Sequence, residues 1–228
     1  MKSLFITGIG TNVGKTVVSR ALLEIAGKGG LSTAGYKPVA CGGKKIGNNI
    51  CNEDALILKK YSNVQLAYNE VNPFSFTEPT SPHINSLHEG KPIILNIISQ
   101  GLRRLESKAD LIIIEGVGGW YTPISMESTM ADWVIREHLP VILVINLKLG
   151  CINYALLTAK AIIASGIQLM GWITNATELS DKWQEDYIKI FRNILRAPCL
   201  GNIPWLNNDL VFTNWNNYLN LDFLKIIP

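Results

Sequence analysis

The chain has 228 residues, 47% of them hydrophobic, and its 21 Lys and Arg against 18 Asp and Glu leave a net charge of +3. That apolar share supports a full core. The scattered charge lacks the basic stripe of a nucleic-acid binder, so Lys44-Lys45 and Arg103-Arg104 read as solvated faces.

The four cysteines (Cys41, Cys51, Cys151, Cys199) have no Cys-x-x-Cys spacing, and His83, His88 and His138 do not join them in a metal-ligand pattern. No apolar run approaches the ~18 residues of a membrane span. Met1 to Ile6 lead straight into a strand without a secretory segment. One domain over residues 1–228, in a cytoplasmic protein with reduced thiols, is expected.

The first strand is predicted over residues 3–7 and a helix over 15–26. Between them lies Gly8-Ile9-Gly10-Thr11-Asn12-Val13-Gly14-Lys15-Thr16. This is a glycine-rich phosphate loop. Its backbone N–H groups wrap phosphate oxygens, the lysine reaches the β/γ-phosphates, the hydroxyl takes a place on Mg²⁺, and the helix points its positive end at the anion. The usual spacing has four residues between the glycines. Here Gly8 lies one position too early and Gly10 one too late, so the loop is a variant.

A second strand, 33–37, ends in Tyr36-Lys37-Pro38, and a helix follows at 53–61. Asp54, in its first turn, reads by itself as a capping residue. Proline and polar residues crowd 72–92, which is expected to be a long loop. Next come a helix at 93–106, a strand at 111–115, a helix at 130–137, a strand at 141–145, a helix at 152–164, a strand at 169–174, a helix at 182–195 and a short strand at 199–203. His88 and His138 are expected at the surface. The tail from Trp215, with Tyr218, Leu219, Leu221 and Phe223, is expected to dock on the body.

Runs such as Leu111-Ile112-Ile113-Ile114 are apolar without alternation, as in strands buried on both faces of a parallel sheet. The βαβα order then predicts a P-loop NTPase-like parallel sheet covered by helices on both faces. In such sheets ligands sit at the carboxyl ends of the strands. Those ends carry Lys37, then Glu115-Gly116-Val117-Gly118-Gly119, residues 146–150 and Asn175. Glu115 suits Mg²⁺ alongside a triphosphate. Lys37 points toward the same mouth as Lys15, which suggests stabilised charge on a transferred phosphoryl group or an anionic acceptor.

Motifs along most of the chain resemble the ATP-dependent dethiobiotin synthetase family. They include Thr7-Gly8 with Thr11 and Val13-Gly14-Lys15-Thr16, Thr33-Ala34-Gly35-Tyr36-Lys37-Pro38-Val39-Ala40, Asp54-Ala55, Val71-Asn72-Pro73 and Glu78-Pro79-Thr80-Ser81-Pro82-His83. Glu115-Gly116 with Gly118-Gly119-Trp120, Ala131-Asp132-Trp133, Lys148-Leu149-Gly150-Cys151-Ile152-Asn153 and Ile203-Pro204-Trp205-Leu206 continue the pattern. The family's loop also has five residues between its glycines. The resemblance implies ring closure of 7,8-diaminopelargonic acid with CO₂ and ATP, through a carbamate and a carbamic–phosphoric anhydride.

The resemblance also implies roles. Lys37 and Lys15 are catalytic, and Thr16, Asp54 and Glu115 hold Mg²⁺, which replaces the capping reading of Asp54. ATP is held by Asn12, Val13, Gly14, Lys15, Thr16, Val17, Asp54, Glu115, Gly116, Val117 and Gly118, with Asn175, Ala176, Pro204, Trp205 and Leu206 at the base. The substrate meets Thr11, Lys37, Cys41 and Gly118, and its carboxylate tail meets Gly150, Cys151, Ile152 and Asn153 from the second subunit of a homodimer. Neither nucleic acid nor membrane is an expected partner.

Asn12, Cys41 and Ala176 depart from the family pattern, which has an acid at 12, often serine at 41 and often an acid at 176. A related amidoligase of the cobyrinic acid amide synthase type needs a glutaminase domain for which 228 residues leave no room. A partitioning-type ATPase switch carries an extra lysine early in its loop, and residues 8–13 contain none. The roles of Ser81 and His83 stay open at this point.

Overall fold

The computed structural model describes residues 2–47, 49–177, 182–206 and 213–220. In chain order the elements are β1 (Ser3–Gly8), α1 (Lys15–Lys28), β2 (Thr33–Tyr36), β3 (Val39–Ala40), β4 (Lys44–Ile46), β5 (Asn49–Cys51), α2 (Glu53–Tyr61), α3 (Tyr68–Val71) and β6 (Phe74–Ser75). They continue with α4 (Pro82–His88), α5 (Leu95–Glu106), β7 (Leu111–Glu115), α6 (Met130–Arg136), β8 (Val141–Asn146), α7 (Cys151–Ala164), β9 (Leu169–Asn175), α8 (Gln184–Ile194) and β10 (Cys199–Ile203). Each of the six strands expected from sequence is present, and all six join one parallel sheet in the order β10-β9-β8-β1-β7-β2. No helix among the described residues is long and apolar enough to cross a membrane.

Side-chain alternation divides this sheet between two cores. In β8, Leu143 and Ile145 pack with Trp172, Ile188 and Phe191 under α7 and α8. Ile142 and Val144 point the other way, into the larger core with Leu22, Ile98, Leu102 and Trp133. Trp172 and Phe191 meet edge-on at 5.8 Å between centroids, and Phe5 meets Trp133 likewise at 6.3 Å. Each such buried side chain contributes roughly 1.5–3 kcal/mol relative to exposure.

The stretch 72–92 is not the plain loop expected. Phe74–Ser75 pairs with Val39–Ala40, and Pro82–His88 forms a helix. Asn85, 2% exposed, braces this region by donating from Nδ2 to the Glu78 carbonyl at 2.8 Å. That clamp and the pairing of β6 with β3 override the weak local signal. His88 and His138 are exposed, as expected.

Both outer strands of the sheet have occupied hydrogen-bonding edges. On β2, Asn63 Oδ1 accepts from Thr33 N at 2.6 Å and Ser62 Oγ from Gly35 N at 2.8 Å. On β10, Asn202 N donates to Tyr218 O at 3.0 Å and Asn220 N donates to Leu200 O at 2.8 Å. The tail therefore docks over its described part, with Trp215 1% exposed and the Arg20 guanidinium between Tyr61 and Trp215. Leu221 and Phe223 lie outside the described residues.

Gly201 permits that contact, since a Cβ there would stand 2.2 Å from Tyr218 O. Gly201→Ala is expected to cost roughly 1–3 kcal/mol, as overpacking does. Calorimetry should record a melting temperature several degrees lower. An unchanged melting temperature would refute the docking of residues 213–220 on β10.

Candidate functional site

A cleft of about 960 Å³ opens at the carboxyl ends of the strands. The phosphate loop forms its floor. Gly14 adopts φ 91°, and a Cβ there would lie 2.1 Å from Asn175 Nδ2, so both conformation and space demand glycine. Asn175 donates from Nδ2 to Val13 O at 3.3 Å and props the loop from below. Lys15, 7% exposed, bends back to donate to Gly10 O at 2.8 Å.

Strand register sets the charged centre. Tyr36 lies opposite Ile114, so the residues that follow, Lys37 and Glu115, leave adjacent strand ends side by side. Lys37 is 3% exposed and Glu115 fully buried, so this lysine does not snorkel to solvent. Its ammonium pairs with Glu115 Oε1, donates to Asp54 Oδ2 at 3.0 Å and reaches Gly116 O at 3.2 Å. Thr16 Oγ1 lies 2.8 Å from Asp54 Oδ1 and 3.0 Å from Glu115 Oε1. Four side chains from α1, α2 and the ends of β2 and β7 thus share one centre.

Asp54 does not cap its helix, which corrects the reading its position suggests alone. Asn52 occupies the cap, accepting from Ala55 N at 3.4 Å and donating from Nδ2 to Cys41 O at 3.0 Å. Asp54 is thereby free to face Lys37 and Thr16.

Burial opposes charge on Lys37, but Glu115 and Asp54 outweigh it and hold its pKa above the ordinary lysine value. Burial likewise pushes Asp54 up, and Lys37, Thr16 and Lys15 more than reverse this, leaving it below the usual carboxylate range. Lys15 behaves differently. Burial first, then the neighbouring Lys37, depress it to about 8. The centre therefore holds one lysine locked as a cation and one whose charge is costly. Burial also raises the Cys41 thiol, so its reactive thiolate form is disfavoured.

The donor set fits a hard divalent cation. Thr16, Asp54 and Glu115 present clustered oxygens, and the buried Glu115 Oε2 has no hydrogen-bond partner among the described residues. No cluster of three His, Cys, Asp or Glu suited to a metal exists among the described residues. A short protein-supplied set agrees with Mg²⁺, which keeps waters and takes phosphate oxygens.

Thr11, Asn12, Val13, Gly14, Lys15, Thr16, Val17, Lys37, Cys41, Asp54, Glu115, Val117, Gly118, Asn175, Ala176, Pro204, Trp205 and Leu206 all line the cleft. Gly116 contributes its carbonyl from just behind. Gly150, Cys151, Ile152 and Asn153 do not line it; they sit at the start of α7 beside the exposed Leu149. Asn52 and Thr122 were missed by sequence reasoning. Thr122 Oγ1 accepts from Gly119 N at 2.9 Å and shapes the glycine turn, a local bond that leaves no pattern in the sequence.

A family model described as an AAA domain matches residues 2–210. The chain is 49% identical over 223 residues to ATP-dependent dethiobiotin synthetase BioD 1 of Escherichia coli (strain K12), covering 98% of this chain and 99% of that protein. It is 52% identical over 207 residues to ATP-dependent dethiobiotin synthetase BioD of Yersinia pestis bv. Antiqua (strain Angola), covering 91% and 86%. Among solved structures it is similar to the MinC:MinD cell division protein complex of Aquifex aeolicus, with TM-score 0.54, 12% identity and coverage of 90% and 81%. A ParA family ATPase from Chlorobium tepidum TLS gives TM-score 0.51, 14% identity and coverage of 89% and 84%. These structural likenesses establish the P-loop fold alone.

The depressed Lys15 has a measurable sign. Its folded pKa of about 8 lies below the ordinary 10.5, so between these values the unfolded chain holds the proton that the native state sheds. Stability then rises with pH across that window. Lys37, shifted upward, stays protonated in both states there. Lys15→Met is expected to gain roughly 1–3 kcal/mol in urea unfolding at pH 7, with the gain shrinking by about pH 10. Equal gains at both pH values would show that burial does not strain this charge.

Proposed function

Because the chain belongs to the ATP-dependent dethiobiotin synthetase family, we propose that its cleft closes the ureido ring of dethiobiotin from 7,8-diaminopelargonate, CO₂ and ATP. ADP and phosphate are the other products. The activity is that of an ATP-dependent ligase of biotin biosynthesis. The observation that carries the site reading is the shared centre of Lys15, Lys37, Thr16, Asp54 and Glu115 on the cleft floor.

In this reading one amine of the diamine takes up CO₂ as a carbamate. A carbamate oxygen then attacks the γ-phosphorus of ATP, ADP leaves, and a carbamic–phosphoric anhydride remains. The second amine attacks the anhydride carbonyl and expels phosphate. Carbamate and triphosphate are both anions, and two unit charges ~4 Å apart repel by about 4 kcal/mol at an effective dielectric of ~20. Lys37, held as a cation by its carboxylates, offsets that repulsion. Lys15 and the loop N–H groups hold the β- and γ-phosphates.

Thr16, Asp54 and Glu115 would hold Mg²⁺, whose charge neutralises phosphate oxygens during transfer. Asn175, Ala176 and residues 204–206 form the end of the cleft that suits the adenine. Thr11, Cys41 and Gly118 face the diamine. In this reading the reaction takes place in the cytoplasm, where cysteine thiols stay reduced.

A homodimer completes the site in this proposal. Leu149, Tyr154 and Leu157 are 88%, 53% and 59% exposed along the start of α7. Pairing through this face would carry Gly150, Cys151, Ile152 and Asn153 to the neighbour's substrate, with the positive helix end toward its carboxylate.

Phosphate release is expected to require the diamine and to stop on chelation of Mg²⁺. Lys37→Ala is expected to bind ATP near normally yet lose about 100-fold or more in kcat, as when a preorganised charge is removed from a transition state. Full turnover without the diamine would sink the reading. Sedimentation should find a dimer, and Leu157→Glu should shift it toward monomer while raising the diamine KM. A wild-type monomer with full activity would refute the shared site.

A further inference from the structure

Residues 79–82 line the cleft, and the reaction as described gives them no task. They are held firmly. Gly42 N donates to Glu78 O at 3.0 Å, and the buried Asn85 donates to the same carbonyl. Ser81 immediately precedes α4, where a serine hydroxyl ordinarily caps the helix. Here it makes no cap bond. It lies instead 2.9 Å from His83 Nδ1. Ser81 lines the cleft and His83 does not, so the hydroxyl of a cleft residue is bonded to an imidazole set back from it.

We propose that Ser81 is a substrate-contacting residue whose hydroxyl oxygen accepts a hydrogen bond from an amine N–H of the diamine, with His83 as the positioning residue that aims it. This rests on the ring-closure reading above. An amine substrate needs acceptors, and this cleft is rich in donors. Lys15 and Lys37 only donate. Three carboxylate oxygens of Asp54 and Glu115 are engaged by Thr16 and Lys37, and the fourth, Glu115 Oε2, is buried out of reach. Thr122 spends its hydroxyl on Gly119. Cys41, on the neighbouring wall, offers sulfur, a weak acceptor.

Ser81 suits the task once its proton is committed. Donating that proton to a bare His83 Nδ1 leaves only lone pairs on the oxygen for a substrate N–H. The imidazole then carries its own proton on Nε2. Without His83 the hydroxyl would rotate and present donor and acceptor alike.

Steady-state kinetics on the full chain, with ATP and diamine varied separately, test the assignment. Ser81→Ala is expected to raise the diamine KM about 3- to 10-fold, the loss of one neutral hydrogen bond, with the ATP KM unchanged. His83→Ala should give the same signature. His83→Asn, whose amide oxygen can stand where Nδ1 stood, should restore a near-normal value. These two variants carry the test should Ser81→Ala not fold. An unchanged diamine KM overturns the proposal, as does a parallel rise in both KM values or a His83→Asn no better than His83→Ala. Diamine-independent turnover by the unmutated chain would instead bring down the ring-closure reading itself, and this proposal with it.

Discussion

The buried pairing of Lys37 with Glu115 and Asp54 is the constraint around which the site is arranged. Removing the Glu115 carboxylate and the Lys37 ammonium from water costs several kcal/mol per ion, and only close geometry with further hydrogen bonds, including that to the part-exposed Asp54, repays it. Thr16 and the Gly116 carbonyl supply those bonds. The arrangement ties the ends of β2 and β7 to the first turns of α1 and α2. A shift of one residue in the β2–β7 register would separate Lys37 from Glu115 and leave both buried charges unmatched. Site geometry and sheet pairing are therefore a single requirement.

The same centre explains why two lysines so close together have different characters. Lys37 sits between carboxylates and is held charged. Lys15 feels burial and its neighbour's charge more than any acid. A triphosphate arriving at the loop would supply the missing counter-charge to Lys15. Lys37 needs none. Nucleotide binding and acceptor stabilisation are thus divided between residues that look alike in sequence.

Much of this was legible in the sequence. Strands such as β7 and β8 stand out because β-branched runs without alternation have few other uses, and the loop because Gly-Lys-Thr between strand and helix serves a phosphate. Lys37 and Glu115 could be placed at strand ends, but their contact depends on register, which no local pattern encodes. In Asn52-Glu53-Asp54 two residues can cap a helix. The choice of Asn52 is made by Cys41 O and Lys37, both distant in sequence. The helix at Pro82–His88 likewise carries no clear local signal. It is short, lacks an amphipathic stripe, and is fixed by Asn85 reaching back to Glu78. Local propensity is a weak prior where such contacts decide.

The hydrogen bonds along the outer rims of β2 and β10 bear on how the molecule meets its neighbours. Unpaired strand rims invite another chain to add a strand, the first step toward runaway aggregation. Here Ser62 and Asn63 cover one rim and residues 218–220 the other. Neither cover is a long flat strand that could itself be extended. A parallel sheet made of strongly apolar runs, among the most aggregation-prone of building blocks when exposed, is thus sealed at both margins by polar side chains and a short turn. Assembly is steered away from backbone addition and onto helix surfaces, where side chains decide the partner and the association can close at a fixed number of copies.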